Sequence, residues 1–576
     1  MMPGTRLANW VWFYIVLSIS LVAVQCPAAA AFAERTDTGL GPVLQYIGSD
    51  WDALTRSMTR CDSIVDPKLP EAALLYLPAS FSEPDSVKQL ERACKVRVEH
   101  LPMVIQHPGQ ADVGTISPYG LLFLPNSYVV PGGRFNEMYG WDSYFIILGL
   151  VRDRRIELAR GMVENFFFEI EHYGTVLNAN RTYYLTRSQP PFLTSMIMEV
   201  YNAEKVAGHE DKDWLARAYG FAARDYEMWT REPHLAGSTG LSRYYDFGNG
   251  PAPESLQDET GLRRKVAGYF LVHPELARTY VVVKDGTQPA REAAGPDYGV
   301  QVCDVAKTMA RPGCDAAGTV QLSADYYKGD RSMRESAFDI SFRFGPYGAA
   351  THHFAPVCLN SLLYKTEKDL EEISKLLGKT AEAGQWKQRA EQRKQQIEKY
   401  LWDAQRGLFF DYDLRTGARS TYEYVTTFYP LWAGLASPQQ AQAVARNVKI
   451  FEQPGGLATS PNDTGMQWDY PYGWAPLQSL AVEGLRRYGY TADADRISYE
   501  FLSSVAENFR REGTIREKYD VVTRSSEAHV SAGYQANVVG FGWTNGVFLE
   551  LLRELPKEMI DRLAKEQDAA LPSARQ

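Results

Sequence analysis

The chain has 576 residues, 45% hydrophobic and 23% charged, an ordinary globular composition with length enough for a large core. Its formal net charge is −9 and it holds no Lys/Arg-rich run, which excludes a nucleic-acid binder and a protein held electrostatically on an anionic membrane. Length alone allows three or four domains.

At the N-terminus, Arg6 precedes an uncharged apolar run from Trp10 to Val24. That run is shorter than the ~20 residues of a membrane span. Ala31-Phe32-Ala33 follows as a small-residue cleavage site. Residues 1–33 are therefore expected to be a signal peptide. The mature protein is expected to be exported, periplasmic or secreted, with no membrane contact once the signal is removed. Loss of Cys26 with the signal leaves an odd number of cysteines. Cys61 with Cys94, and Cys303 with Cys314 across a Pro-Gly turn, are two possible pairs, and Cys358 in an apolar run reads as a buried free thiol. None has C-x-x-C spacing, so no metal site is expected.

Further along, Pro131-Gly-Gly-Arg-Phe-Asn-Glu-Met-Tyr-Gly-Trp-Asp-Ser-Tyr144 combines glycines, an arginine, acids and aromatics. Aromatic faces stack on sugar rings, and Arg and carboxylates bind hydroxyls. Helical periodicity then dominates. Apolar stripes cover 154–173, 192–206 and 212–229. Lys284 to Asp330, rich in Gly, Pro, Ala and Asp, reads as an inserted surface loop. Leu363 to Leu377 forms another stripe, capped by Gly378. Trp386, Ala390, Ile397 and Leu401 share one face of the next helix. Ser437-Pro438 is an N-cap followed by Pro at the first helical position. Stripes at 476–488 and from Ile497 to Phe509 follow, the latter ending near Gly513, and residues 556–576 read as a charged tail. Helices of 10–20 residues joined by loops rich in aromatics and acids suggest an α/α toroid. No fixed-period repeat supports a solenoid.

Hydrolysis of a glycosidic bond needs two carboxyl groups. Asp339, in Arg334-Glu-Ser-Ala-Phe-Asp-Ile-Ser-Phe-Arg343, is flanked by aromatics whose burial suits a general acid. Glu517, in Ile515-Arg-Glu-Lys-Tyr-Asp520, lies beside Arg516 and Lys518, which favour the ionised form of a base.

The stretch 131–144, together with Gln467-Trp-Asp-Tyr-Pro-Tyr-Gly-Trp-Ala-Pro476, resembles the two signature motifs of the trehalases, glycoside hydrolase family 37. The resemblance runs from about Ser63 to Phe548. It implies an all-α (α/α)6 barrel over 34–555, with a loop-built active site at one end. It also implies an inverting α,α-trehalase that yields two glucoses, with Asp339 as acid and Glu517 as base and with no metal or organic cofactor. The expected partner is a small disaccharide, and the expected state a monomer. The substrate contacts implied are Arg134, Trp141, Asp142, Asn178, Arg187, Gln189, Glu254 and the backbone of Ala337. Trp468 and Asp469 would line the pocket, and Trp474 has either a structural or a substrate role. Four departures stand out. Ala252 replaces a substrate-binding Arg, Phe338 replaces a Trp, Cys358 replaces an Asp, and the segment Thr523–Tyr534 lacks the usual glycine-rich lid and its Glu. Glu527 is the nearest acid to that missing Glu. These departures leave two other readings: the same mechanism on a different α-glucoside, or a sugar-binding protein without turnover.

Overall fold

A computed structural model describes residues 39–65, 73–94, 96–255, 260–282, 299–301, 319–532 and 537–569. The expected signal peptide, Cys303, Cys314 and Tyr534 lie outside the described residues. In chain order the helices begin with α1 (Gly41–Leu54), α2 (Asp85–Cys94), α3 (Asp142–Arg152), α4 (Ile156–His172), α5 (Leu193–Val206) and α6 (Lys212–Trp229). Next come α7 (Thr260–Leu271), α8 (Pro274–Tyr280) and α9 (Ala324–Glu335). The series ends with α10 (Val357–Leu376), α11 (Thr380–Leu401), α12 (Tyr429–Trp432), α13 (Pro438–Arg446), α14 (Ala475–Arg487), α15 (Thr491–Glu512), α16 (Gly542–Glu554) and α17 (Lys557–Ala569).

Among the described residues, six helices close a ring. α3 packs on α5, α5 on α10, α10 on α12, α12 on α14, α14 on α16, and α16 returns to α3. Outside them lie α4 on α3 and α5, α6 on α5 and α10, α11 on α10, α15 on α14, and α1 on α16. This is the (α/α)6 barrel that the sequence led us to expect. Residue chemistry sorts the two layers. In α16 every residue from Gly542 to Leu552 is buried, as an inner helix requires. In α11 only Ala383, Trp386, Ala390, Arg393, Ile397 and Leu401 are buried, one stripe at helical spacing. The α3–α16 contact depends on glycine: a Cβ at Gly546 would lie 2.0 Å from the carbonyl oxygen of Phe145. Ends follow the predicted caps. Ser437 and Gln440 form a reciprocal capping box on α13, and Gly513 ends α15 at φ +68°.

Two expectations need correction. Residues 284–330 are not loop throughout: Thr319–Leu322 pairs antiparallel with both Val281–Val282 and Gly299–Gln301, and α9 is largely buried. Short Val- and Leu-containing runs make this sheet, below the length that a period-2 pattern reveals. The charged tail is a docked helix as far as Ala569, since α17 packs on α15 with Ile560, Leu563 and Ala564 buried. Apart from buried Gln567, its polar residues cover the outer face. A small parallel sheet of Arg97–His100, Leu74–Leu77 and Leu121–Leu122 lies between α1 and α3 in the chain. Cys61 and Cys94 are joined by a disulfide, and Cys358 is a buried free thiol.

The C-terminal halves of the inner helices carry charge into the opposite end of the barrel. Arg152 bridges Glu199 and Glu550, and Lys365 pairs with Asp369. Burial, then the charge of Glu550, pushes Glu483 up to about 7, although Ser479 and Trp432 donate to its oxygens. A carboxyl raised in the folded state binds its proton more tightly there than in the unfolded chain. Stability from this group is therefore full below the ordinary Glu range and is lost as pH rises toward 7. Thermal melts at pH 5.5 and pH 8 should show a higher Tm at the lower pH from this group. Glu483→Gln, which mimics the protonated form, should shrink the difference. An unchanged difference would assign the effect elsewhere.

Candidate active site

The loops that enter the inner helices at their N-terminal ends line one cavity. Its walls come from Pro131 to Asp142 before α3, Asn178 to Gln189 before α5, and Glu254. Arg334 to Asp339 before α10, Gln467 to Trp474 before α14, and Glu517 to Trp543 before α16 complete them.

Trp141, Asp142, Asn178, Arg187, Gln189, Glu254, Ala337, Asp339 and Glu517 all line this cavity, as do Trp468 and Trp474. Arg134 does not. It is exposed, with its guanidinium 5.3 Å from the Phe135 ring centroid. A tight turn from Gly132 to Phe135 sends Phe135 inward and its neighbour outward. Asp469 is also off the wall. It is fully buried and accepts from Ser341 Oγ (2.9 Å), Phe342 N (2.9 Å) and Thr464 Oγ1 (2.6 Å), so it braces the turn after Asp339. Glu527 is exposed and does not line the cavity.

Four carboxyl groups line the cavity: Asp142, Asp339, Glu517 and, beside Arg187, Glu254. Asp142 starts α3; burial pushes its carboxyl well above the usual range, and the charges of Glu517 and Asp339 add to the shift. Asp339 lies beyond the end of α9, after Ala337, which takes φ +63° in the left-handed region. A non-glycine residue in that region marks a backbone constrained by its surroundings. Gln467 Nε2 donates to the Asp339 carbonyl oxygen. Glu517 leads into the strand Lys518–Asp520, which pairs antiparallel with Tyr472–Trp474. This ribbon ties the second aromatic motif to Glu517. Lys518, fully buried, donates to Glu517 Oε2 (3.2 Å) and Gln467 Oε1 (3.2 Å). Arg516 instead turns to Glu512 and the Asn537 carbonyl, so only one of the two expected cations faces the carboxylate.

Aromatic rings form much of the remaining wall. Trp468 stacks on Trp474 at 3.8 Å, and Trp141 meets Trp468, Trp543 and Phe338 at 5.6–5.9 Å. Trp474 also donates Nε1 to the Gln467 carbonyl (3.0 Å), so it both holds a turn and lines the site. Opposite them, Arg187 donates to Glu254 and to Asn178 Oδ1 (3.4 Å). Burial alone would raise the Glu254 pKa, but Arg187, Arg334 and Arg331 outweigh it and hold the carboxyl below its usual range. Arg187 Nε and Nη1 and Glu254 Oε2 are buried without a hydrogen-bond partner among the described residues. Buried polar atoms are normally paired, so unpaired ones on a cavity wall point to a polar ligand.

The Trehalase family model matches residues 76–286 and 317–556, most of the chain. The chain belongs to the trehalase family.

Among relatives of the family, a probable trehalase of Eremothecium gossypii is 36% identical over 87% of this chain and 70% of its own length. Cytosolic neutral trehalases of Kluyveromyces lactis and Saccharomyces cerevisiae are 39% and 36% identical over 73% and 83% of the chain. The chain spans only 55% and 64% of those two proteins. The structure of neutral trehalase Nth1 from Saccharomyces cerevisiae superposes with a TM-score of 0.73 at 32% identity, covering 92% of this chain and 96% of that one. The name "cytosolic" on these relatives overturns the expectation of an exported, periplasmic or secreted protein. An apolar N-terminal run has more than one use, and its composition does not tell them apart. No helix among the described residues is long and apolar enough to cross a membrane.

The departures from the trehalase pattern now have positions. Ala252 is fully buried beside the site. Phe338 lies behind the wall between Trp141, Trp468 and Tyr424. Cys358 Sγ accepts from Arg343, which also forks onto Asp411 at 2.7 and 2.8 Å. The residue that sequence reasoning missed is Arg334. It lines the cavity, pairs with Asp330 at 3.2 Å, and its charge acts on Glu254. Its place one residue before Glu335-Ser336 carried no signal of this in the sequence, because the link to Glu254 joins segments 80 residues apart.

Proposed function

We propose that the chain hydrolyses α,α-trehalose to two glucose molecules by single displacement with inversion. Asp339 in its acid form gives a proton to the glycosidic oxygen as the C–O bond breaks. Glu517 as carboxylate takes a proton from the water whose oxygen attacks the anomeric carbon from the opposite face. One observation carries the reading. Carboxyl groups of Asp142, Asp339 and Glu517 face one aromatic-walled cavity that Arg187 and Glu254 also line, and Arg187 Nε and Glu254 Oε2 are buried without a hydrogen-bond partner among the described residues. Asp142, whose carboxyl burial pushes above its usual range, frames one subsite with Trp141, Asn178 and Gln189. Arg334 supports trehalose over another α-glucoside, because it returns to the cavity the positive charge that Ala252 removes.

Inversion has a stereochemical signature. One half of trehalose leaves with its α configuration and the attacked half becomes β. Proton NMR during the first turnovers should therefore show α- and β-glucose in equal amounts before mutarotation. Two α anomers would mean retention and would overturn the assignment of Glu517 as a base acting through water. Absence of glucose release from trehalose, with release from another α-glucoside, would overturn the substrate.

A further inference from the structure

Outside the cavity, three metal-ligating side chains converge from two separate segments. Asp325 is the second residue of α9, whose N-cap Ser323 accepts from Tyr326 N. His352 and His353 close the short turn Thr351–His353, just before the strand Phe354–Ala355 that leads into α10. The two Nε2 atoms lie 2.9 and 3.2 Å from the same Asp325 oxygen, and all three donor atoms fall within 4.8 Å of one another. We propose that Asp325, His352 and His353 form a binding site for a borderline divalent transition-metal ion, zinc in particular.

Geometry and donor chemistry both support this. A tetrahedral zinc ion with bonds of about 2.0–2.1 Å sets its ligand atoms about 3.4 Å apart, so the two Asp–His edges open by only a few tenths of an ångström and the His–His edge, within 4.8 Å, closes by at most about 1.4 Å. Two imidazole nitrogens and one carboxylate oxygen are a donor set that suits zinc, and they leave a fourth position for water. Calcium and magnesium require six or more oxygens, which this triad does not offer. The ligands also stand on a fixed frame. His353 N donates to the Ala350 carbonyl (2.8 Å), Leu414 N donates to the His353 carbonyl (2.9 Å), and Arg243 donates to the His352 carbonyl (3.1 Å). Gly329 of α9 lies so close to the 346–350 turn that a Cβ there would be 2.0 Å from the Ala349 oxygen. A site on such a frame loses little freedom when the ion binds. Access comes from one side: the Asp325 and His353 side chains are 40% and 26% exposed, whereas that of His352 is 6% exposed.

The same helix continues into the segment that holds Asp339, so an ion here would clasp α9 to the strand before α10 at a distance from the sugar cavity. The inference is independent of the reading of that cavity. The test uses the full chain without an affinity tag, stripped with a chelator. It is titrated with zinc by calorimetry, and bound metal is counted by mass spectrometry after dialysis. We expect about one zinc per chain with a dissociation constant of about 1 μM or tighter, and no comparable binding of calcium or magnesium. Asp325→Asn and His353→Gln keep side-chain size, and circular dichroism with a melt confirms their fold. Each should weaken zinc by more than about 100-fold, beyond the roughly 10–100-fold that changes outside the ligand shell cost. No zinc at micromolar concentration, equal binding of calcium, or unchanged zinc affinity in both folded variants would each overturn the site.

Discussion

Glu517→Gln is expected to lower trehalose turnover by about 10²–10⁴-fold, the usual contribution of a positioned general base. Gln keeps the shape of the side chain and offers Lys518 an oxygen to bond, but it cannot take a proton from water. Glu517 is 5% exposed on a two-stranded ribbon whose partner strand carries Trp474, so the substitution has little room to reorganise the wall. Asp339→Asn should cost a similar factor, because an amide does not protonate the departing oxygen. In both variants kcat should fall far more than KM changes, since Arg187, Glu254 and Asn178, the proposed sugar contacts, are left in place. Initial rates of glucose release, with trehalose binding measured by calorimetry on the same samples, check this. Near-native turnover in either variant sinks the assignment of that residue. Binding retained with turnover lost excludes unfolding as the cause. If the native chain itself bound trehalose without turnover, the protein would be a sugar-binding member of its family.

Arg334→Ala should lower kcat/KM by about 10- to 100-fold, the equivalent of one charged hydrogen bond of about 1.5–3 kcal/mol. The argument rests on position: Arg334 reaches the cavity from the end of α9, where its charge acts on Glu254, two residues after Ala252, whose methyl side chain offers no charge. Removing it also leaves Asp330, 8% exposed at its side chain, without its ion-pair partner, so part of the effect will be stability. Two measurements separate the parts. The melt reports the Asp330 contribution, which Asp330→Asn in the same background should relieve. Steady-state kinetics well below the melt report the substrate contribution, which Asp330→Asn should not restore. Adding Ala252→Arg to Arg334→Ala should recover activity if the cavity needs one cation on that side and tolerates it from either segment. Native kcat/KM in Arg334→Ala would show that the residue lines the cavity without touching substrate.

Much of this was legible in the residues because it depends on near neighbours in the chain. Apolar spacing marked α4, α5, α6, α11, α14 and α15, and Ser437, Gly378 and Gly513 marked ends, since a helix is made of bonds four residues long. The two aromatic motifs and the segments around Asp339 and Glu517 were long enough to identify the family, which the family match over 76–286 and 317–556 then established. Export was misread from a local composition that carries no unique address.

What only the tertiary structure decided depends on residues that meet across long stretches of chain. Closure of the ring joins α16 to α3, nearly 400 residues apart, and rests on Gly546 allowing two backbones to touch. Within a single turn the fold sent Phe135 inward and Arg134 out, and it withdrew Asp469 from the wall to brace the turn after Asp339. It brought Arg334 to Glu254, raised Glu483 by burying it beside Glu550, and gathered Asp325 with His352 and His353. Helix content follows from local periodicity. Burial, charge pairing and the facing of side chains follow from which loops arrive at the same end of the barrel, and one chain segment read alone does not contain that information.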